Sequence, residues 1–144
     1  MAAVEVLSVV LAGLLAGEEL IVRWGVQPAL RSLGDHAHVE ARVALVRSLR
    51  IAVPILMLPT VAAAVAVLIV DPTTIRWAGS VLLLAFLLFS FLGTVPINMK
   101  VIDWRPDAPP ADWRATVRRW ERIDVFRSSA AVLAFIGFAI AAAA

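Results

Sequence analysis

Three groups of polar side chains interrupt a chain that is otherwise strongly apolar. Glu18 and Glu19 end a run that is uncharged from Val6 to Gly17, and Arg23 follows Glu19 by four residues. Pro96 and Asn98 stand at the end of another run, with Lys100, Asp103 and Trp104 close behind. Arg119, Trp120, Asp124 and Arg127 open the last one, and positions 120, 124 and 127 share a helical face. These residue types suit acid–base chemistry at carbon. A carboxylate (Glu19 or Asp124) can take a proton from an activated C–H bond. Guanidinium and amide donors (Arg127, Arg23, Asn98) can hold the anion that results, as an oxyanion site does.

Each group also has a structural explanation. Glu19 can pair with Arg23 along one helix face, and Arg127 with Asp124 or with Glu19. Asn98 can cap a helix end, and Lys100 can reach lipid phosphate. Against these stands convergence, because the three groups fall at similar depth in the chain's apolar segments. Polar groups from several helices meeting in an apolar bundle are the usual form of a small-molecule site. The expected catalytic residues are therefore Glu19, Asp124, Arg127 and Asn98, with Arg23, Trp104, Trp120 and Glu18 around the substrate.

Several chemistries are excluded or disfavoured. With no cysteine, thiolate catalysis, disulfides and iron–sulfur clusters are ruled out. His36 and His38 diverge on a helix and do not by themselves make a zinc site, so no metal and no cofactor is expected. There is no glycine-rich phosphate loop, no GxSxG and no HExxH. The pI near 10.4 is not a nucleic-acid signal here, since no aromatic residues interleave a basic patch.

The positioning elements must lie in a membrane. Hydrophobic residues make up 62% of the chain and mean hydropathy is +0.91. A bilayer crossing takes roughly 20 residues, and Val4–Val22, Ile51–Val70, Trp77–Met99 and Val125–Ala144 qualify. Of the 13 cationic side chains, all but Arg76 lie in or beside the connections after the first and third stretches. Loops rich in Lys and Arg stay cytoplasmic. The sequence thus predicts one all-α domain over 1–144: a four-transmembrane-helix bundle in the cell membrane, N-out and C-out, its basic loops touching anionic head groups. Glu5 and the lack of a basic start make the first stretch a retained helix rather than a cleaved signal.

Local signals refine this. Pro28 kinks or breaks the first helix, and Ser32–Asp35 is a turn. His36–Arg50 reads as an amphipathic cytoplasmic helix with Ala41, Leu45 and Leu49 inward and Glu40, Arg47 and Arg50 outward. Pro54 and Pro59 predict a kinked second helix. Asp71–Thr74 forms the tight outer turn, with Thr73 or Thr74 as N-cap. The prolines within Asp103–Asp112 predict an irregular loop, and Asp112 caps a helix that begins at Trp113 and extends the fourth span into the cytoplasm. The five tryptophans fall at expected interfaces. The site is expected in the cytoplasmic half, walled by helices 1, 3 and 4 under the Asp103–Asp112 loop.

Gly17–Leu33 (GEELIVRWGVQPALRSL), Thr94–Asn98 (TVPIN), Trp104–Asp107 with Pro109, and Arg118–Arg127 (RRWERIDVFR) together resemble the anthrone oxygenase-like small membrane proteins. The resemblance implies a four-helix membrane protein. In some members it implies oxidation of an anthrone to an anthraquinone in aromatic polyketide biosynthesis, without an obvious metal or flavin. Such members often carry a histidine where this chain has Asp124, so the base would be a carboxylate here. The expected function is an enzyme acting on a hydrophobic, polyketide-like small molecule. A membrane cyclase or isomerase, or a non-catalytic binding or partner subunit, fits the same residues.

Overall fold

The computed structural model describes residues 2–144 and consists of four long helices, with no strand among the described residues. Helix α1 runs over Ala2–Ile21, passes through a π turn at Val22–Val26 and continues over Gln27–Arg31. Helix α2 is Asp35–Val70. Helix α3 is Thr74–Phe89, a π turn at Ser90–Thr94, and Val95–Val101. Helix α4 is Trp113–Ala143. Three segments, Asp35–Val70, Thr74–Val101 and Trp113–Ala143, are long and apolar enough to cross a membrane. Glu5, Glu18 and Glu19 set α1 apart from them in composition, although it packs in the same bundle.

The two π turns share one cause. Proline has no N–H, and its ring collides with the carbonyl four residues back. In both helices the backbone widens just ahead of the proline. The Gln27 N–H donates to the Val22 carbonyl ahead of Pro28, and the Val95 N–H donates to the Ser90 carbonyl ahead of Pro96. Pro28 therefore neither ends α1 nor leaves it a plain α-helix. Pro54 and Pro59 lie inside α2 without a π turn.

The helix ends follow their capping chemistry. Thr73 Oγ1 accepts from the Arg76 N–H at 3.3 Å, making Thr73 the N-cap of α3. Asp112 precedes α4, but its side chain makes no cap bond; its carbonyl accepts from the Thr116 N–H at 3.0 Å. Helix α3 continues beyond Asn98 to Val101.

Helix α4 packs along α3 and α1, and α1 also packs on α2. The α3–α4 approach is closest at two glycines: a Cβ on Gly137 would lie 3.3 Å from Gly79 Cα. Ala130, Ala131 and Ala134 are buried in the same seam. One core cluster gathers Leu15, Met57, Leu83, Phe86 and Phe138; a second gathers Val39, Val43, Trp104, Trp113 and Trp120.

Two expectations are corrected here. The inward stripe of the first half of α2 is Val39, Arg42, Val43 and Val46, while Ala41, Leu45 and Leu49 are half-buried. Arg42 turns inward because Gln27 and Trp120 receive its guanidinium there. Trp104, Trp113 and Trp120 are core residues, and only Trp24 and Trp77 are exposed in the manner of interface anchors. At the end of the bundle that holds the Asp71–Thr74 turn, Arg76 is buried. It donates to Glu5 Oε1 at 2.5 Å, to the Asp71 carbonyl at 2.9 Å and to the Asp71 carboxylate.

Candidate functional site

Arg127 is the centre of the opposite half. It lies two residues into the apolar part of α4 that begins at Val125, between Phe86 of one core cluster and Trp120 of the other. Its guanidinium carbon is 5.4 and 6.0 Å from the two ring centroids. Its Nη2 donates to Glu19 Oε1 from α1, and its Nη1 to Thr94 Oγ1 of α3 at 3.3 Å. Its Nε lies 3.4 Å from Asp124 Oδ1, an ion pair without hydrogen-bond geometry. Glu19, Thr94 and Asp124 are each at most 1% exposed. A charge this deep persists only when paired and hydrogen-bonded.

The π turns help to assemble this cluster. The turn at Val22–Val26 separates Glu19 from Arg23. Glu19 binds Arg127, while Arg23 Nη1 donates to Ser128 and Ser129 Oγ at 3.2 and 3.1 Å. The simple pairing of Glu19 with Arg23 along one helix is therefore replaced by two contacts from α1 to α4. The turn at Ser90–Thr94 ends on Thr94, the partner of Arg127.

Not all of the carboxylate capacity is used. Glu19 Oε2, Asp124 Oδ1 and both oxygens of half-buried Glu18 are buried without a hydrogen-bond partner. Several lone pairs thus remain around one guanidinium.

Trp120 links the cluster to a second network. Its indole Nε1–H donates to Asn98 Oδ1 at 2.9 Å, so Asn98 orients a ring rather than capping a helix. The Arg42 guanidinium lies 5.6 Å from the same ring. Arg42 Nη2 donates to Gln27 Oε1 at 2.7 Å, and its Nε to His38 Nε2 at 3.3 Å. That bond requires a lone pair on Nε2, so His38 is neutral when it forms. His38 packs edge-on to Trp113, with centroids 5.1 Å apart.

A cavity of about 410 Å³ lies between α2 and α3, with α4 as its floor. Val46, Val53, Met57, Phe91 and Met99 make its walls apolar. At its inner end are Thr94, Asn98, Trp120 and Arg127. Its walls come from helices 2, 3 and 4, whereas the charged cluster behind it comes from 1, 3 and 4. Ile102 is the contribution from the connection after α3. A second cleft, of about 510 Å³, lies between the end of α1 and the start of α4 and is lined by Arg23, Gln27 and Asp124 among others. The Arg127–Asp124 pair thus stands between the two spaces, Arg127 facing one and Asp124 the other. Glu18, Glu19 and Trp104 line neither; Glu19 is buried behind Arg127 and Trp104 in the second core cluster.

Thr94, Arg42 and Gln27 belong to these networks and were not singled out by residue type. For Arg42 a signal existed: it is the one charge within the apolar stripe of Val39, Val43 and Val46. Among the described residues no group of three or more His, Asp or Glu side chains converges as a metal site.

A family model described as anthrone oxygenase matches residues 43–137, about two thirds of the chain. The match includes Thr94, Asn98, Trp120, Asp124 and Arg127, and it begins after Glu19 and Arg23. No curated protein and no solved structure matches.

Proposed function

The chain belongs to the anthrone oxygenase family, and on that premise we propose that it is a membrane-embedded oxygenase of a hydrophobic, polyketide-like aromatic molecule. The observation that carries this is the apolar cavity ending on Arg127, Asn98 and Trp120. A flat ring system lies along the apolar walls with its oxygenated edge at Arg127. Removal of a proton from the activated methylene delocalises charge onto that oxygen, where the guanidinium holds it in a dry setting. Glu19 and Asp124 stand directly behind Arg127, outside the cavity lining, and their free oxygens receive the proton through a water relay past Arg127 rather than by contact with the methylene. The carbanion then reduces molecular oxygen. Overall the methylene loses two hydrogens and gains one oxygen atom as a ketone, and the second oxygen atom leaves as water.

The same constellation without oxygen would serve a cyclase or isomerase by proton transfer alone. A purely structural partner subunit would have a filled interior, and the cavity speaks against that; a small-molecule binder would have the cavity without turnover. In the cell membrane both basic connections lie on the cytoplasmic side with both termini outside, so the site opens to the inner leaflet.

An oxygen electrode with purified protein and an anthrone tests the reading. One oxygen molecule consumed per ketone formed is expected, with loss of turnover in Glu19→Gln, Asp124→Asn and Arg127→Ala. Product formed equally well under anaerobic conditions would replace oxygenation by isomerisation or cyclisation. Full turnover in all three variants would remove these residues from the mechanism.

A further inference from the structure

The cleft between α1 and α4 shares only Asp124 with the reaction above, and its lining is built for a charge. Arg23, Arg31, Arg118 and Arg122 face it, against Glu121 and Asp124. Both carboxylates are ion-paired, Glu121 with Arg31 at 3.4 Å and Asp124 with Arg127 at 3.4 Å, though neither Glu121 Oε1 nor Asp124 Oδ1 accepts a hydrogen bond. Arg118 and Arg122 are exposed, lie four residues apart on α4, and form no ion pair among the described residues. Gln27 supplies a separate indication. It is 2% exposed and lines the cleft; its Oε1 is taken by Arg42, and its Nε2 has no partner. A buried amide donor left over in a cleft of surplus positive charge matches an acceptor-rich anion.

The rest of the lining is apolar and turned outward. Trp24 is 68% exposed and Val125 is 40% exposed. Arg118 and Arg122 lie one to two turns ahead of the apolar stretch that begins at Val125, at the level of lipid phosphates. We infer that this cleft is a discrete site for the phosphate-type oxyanion of a membrane amphiphile, held by Arg118, Arg122 and the Gln27 amide, with its apolar chain along Trp24 and Val125.

Native mass spectrometry of the full chain in neutral detergent tests this, because no bilayer surface potential contributes there. One phosphatidylglycerol retained per chain is expected. The Arg118→Gln/Arg122→Gln variant should weaken retention roughly tenfold or more, because it removes the charge-assisted hydrogen bonds of both guanidinium groups to the phosphate. Lys100→Gln/Arg105→Gln removes the same charge from the end of α3 and the connection after it and should leave retention unchanged. Phosphatidylcholine retained as well as phosphatidylglycerol, or equal losses in the two double variants, would reduce the site to general basicity and overturn the proposal. Inorganic phosphate should not displace the lipid; displacement would show that a soluble oxyanion suffices and overturn the role of the chain. Trp24→Ala gives a second reading, since it should weaken retention while leaving the arginines in place. Because binding is read directly, the outcome is independent of whether the protein consumes oxygen.

Discussion

The catalytic role proposed for Arg127 can be separated by mutation from its structural one. Arg127→Met leaves Glu19 and Asp124 buried without a counter-charge, and breaking a buried pair this way costs roughly 3–5 kcal/mol. Adding Glu19→Gln and Asp124→Asn to the same chain removes the stranded charges. The triple variant should recover most of the lost thermal midpoint in detergent and remain without turnover. If stability and activity return together, the cluster is a register device only. Asn98→Leu makes a second test. The Trp120 N–H would lose its acceptor, at about 1 kcal/mol, and the ring would be free to reorient at the cavity floor. A rise in KM larger than the drop in kcat is expected from that. The charged residues of this site were legible in the sequence because ionisable groups in apolar segments stand out by type. Thr94 and Gln27 were not, since a buried Thr or Gln becomes conspicuous only once its partner from another helix is known.

At the scale of elements, the π turns decide which side chains meet. Each inserts an extra residue into a turn, and one residue is about 100° of helix rotation. Deleting Gly25 would let α1 close into a regular α-helix, so that Glu19 and Gln27 could no longer face Arg127 and Arg42 together. Loss of turnover and a lower melting temperature are expected. Gly25→Ala should be tolerated, because its Cβ would meet only the mobile end of Ile21 at 3.0 Å. Gly93 is stricter. A Cβ there would lie 2.6 Å from Ile123 Cγ2, so Gly93→Ala should cost roughly 1–3 kcal/mol and be partly relieved by Ile123→Ala, as read by thermal unfolding. Four helices and their junctions could be read from hydropathy, Thr73 and the prolines around Asp103–Asp112. The π turns could not, because a proline in a sequence signals a disturbed helix without saying which way the backbone yields. The face of α2 was misread for a related reason: a stripe with Arg42 in it looks polar until Trp120 and Gln27 are seen to receive the guanidinium.

For the whole molecule, the arrangement of charge and length sets the orientation to be tested. The chain has no cysteine, so single-cysteine variants report without background. Thr74→Cys, at the turn between α2 and α3, should react with an impermeant maleimide from outside intact cells, and Ala108→Cys only after permeabilisation. The reverse pattern would place the cavity mouth in the other leaflet. The family match runs from within α2 into α4, while Glu19 and Arg23 contact α4 from outside the matched residues.

The buried Arg76 bears on how such a protein enters the bilayer. Asp71, on the same α2–α3 hairpin, takes part of the guanidinium's hydrogen bonding, and Glu5 supplies the rest from the far N-terminal end of the chain. In the proposed orientation this hairpin tip is carried through the hydrocarbon during insertion. A lone arginine there would meet a barrier of roughly 2.5–3.5 kcal/mol on insertion scales. Travelling with Asp71, it crosses as a locally neutral pair, and Glu5 closes the contact only when the first helix comes alongside. What α1 completes on docking is therefore hydrogen bonding rather than charge: Arg76 Nη2 has its Glu5 acceptor only once the first helix lies alongside the hairpin.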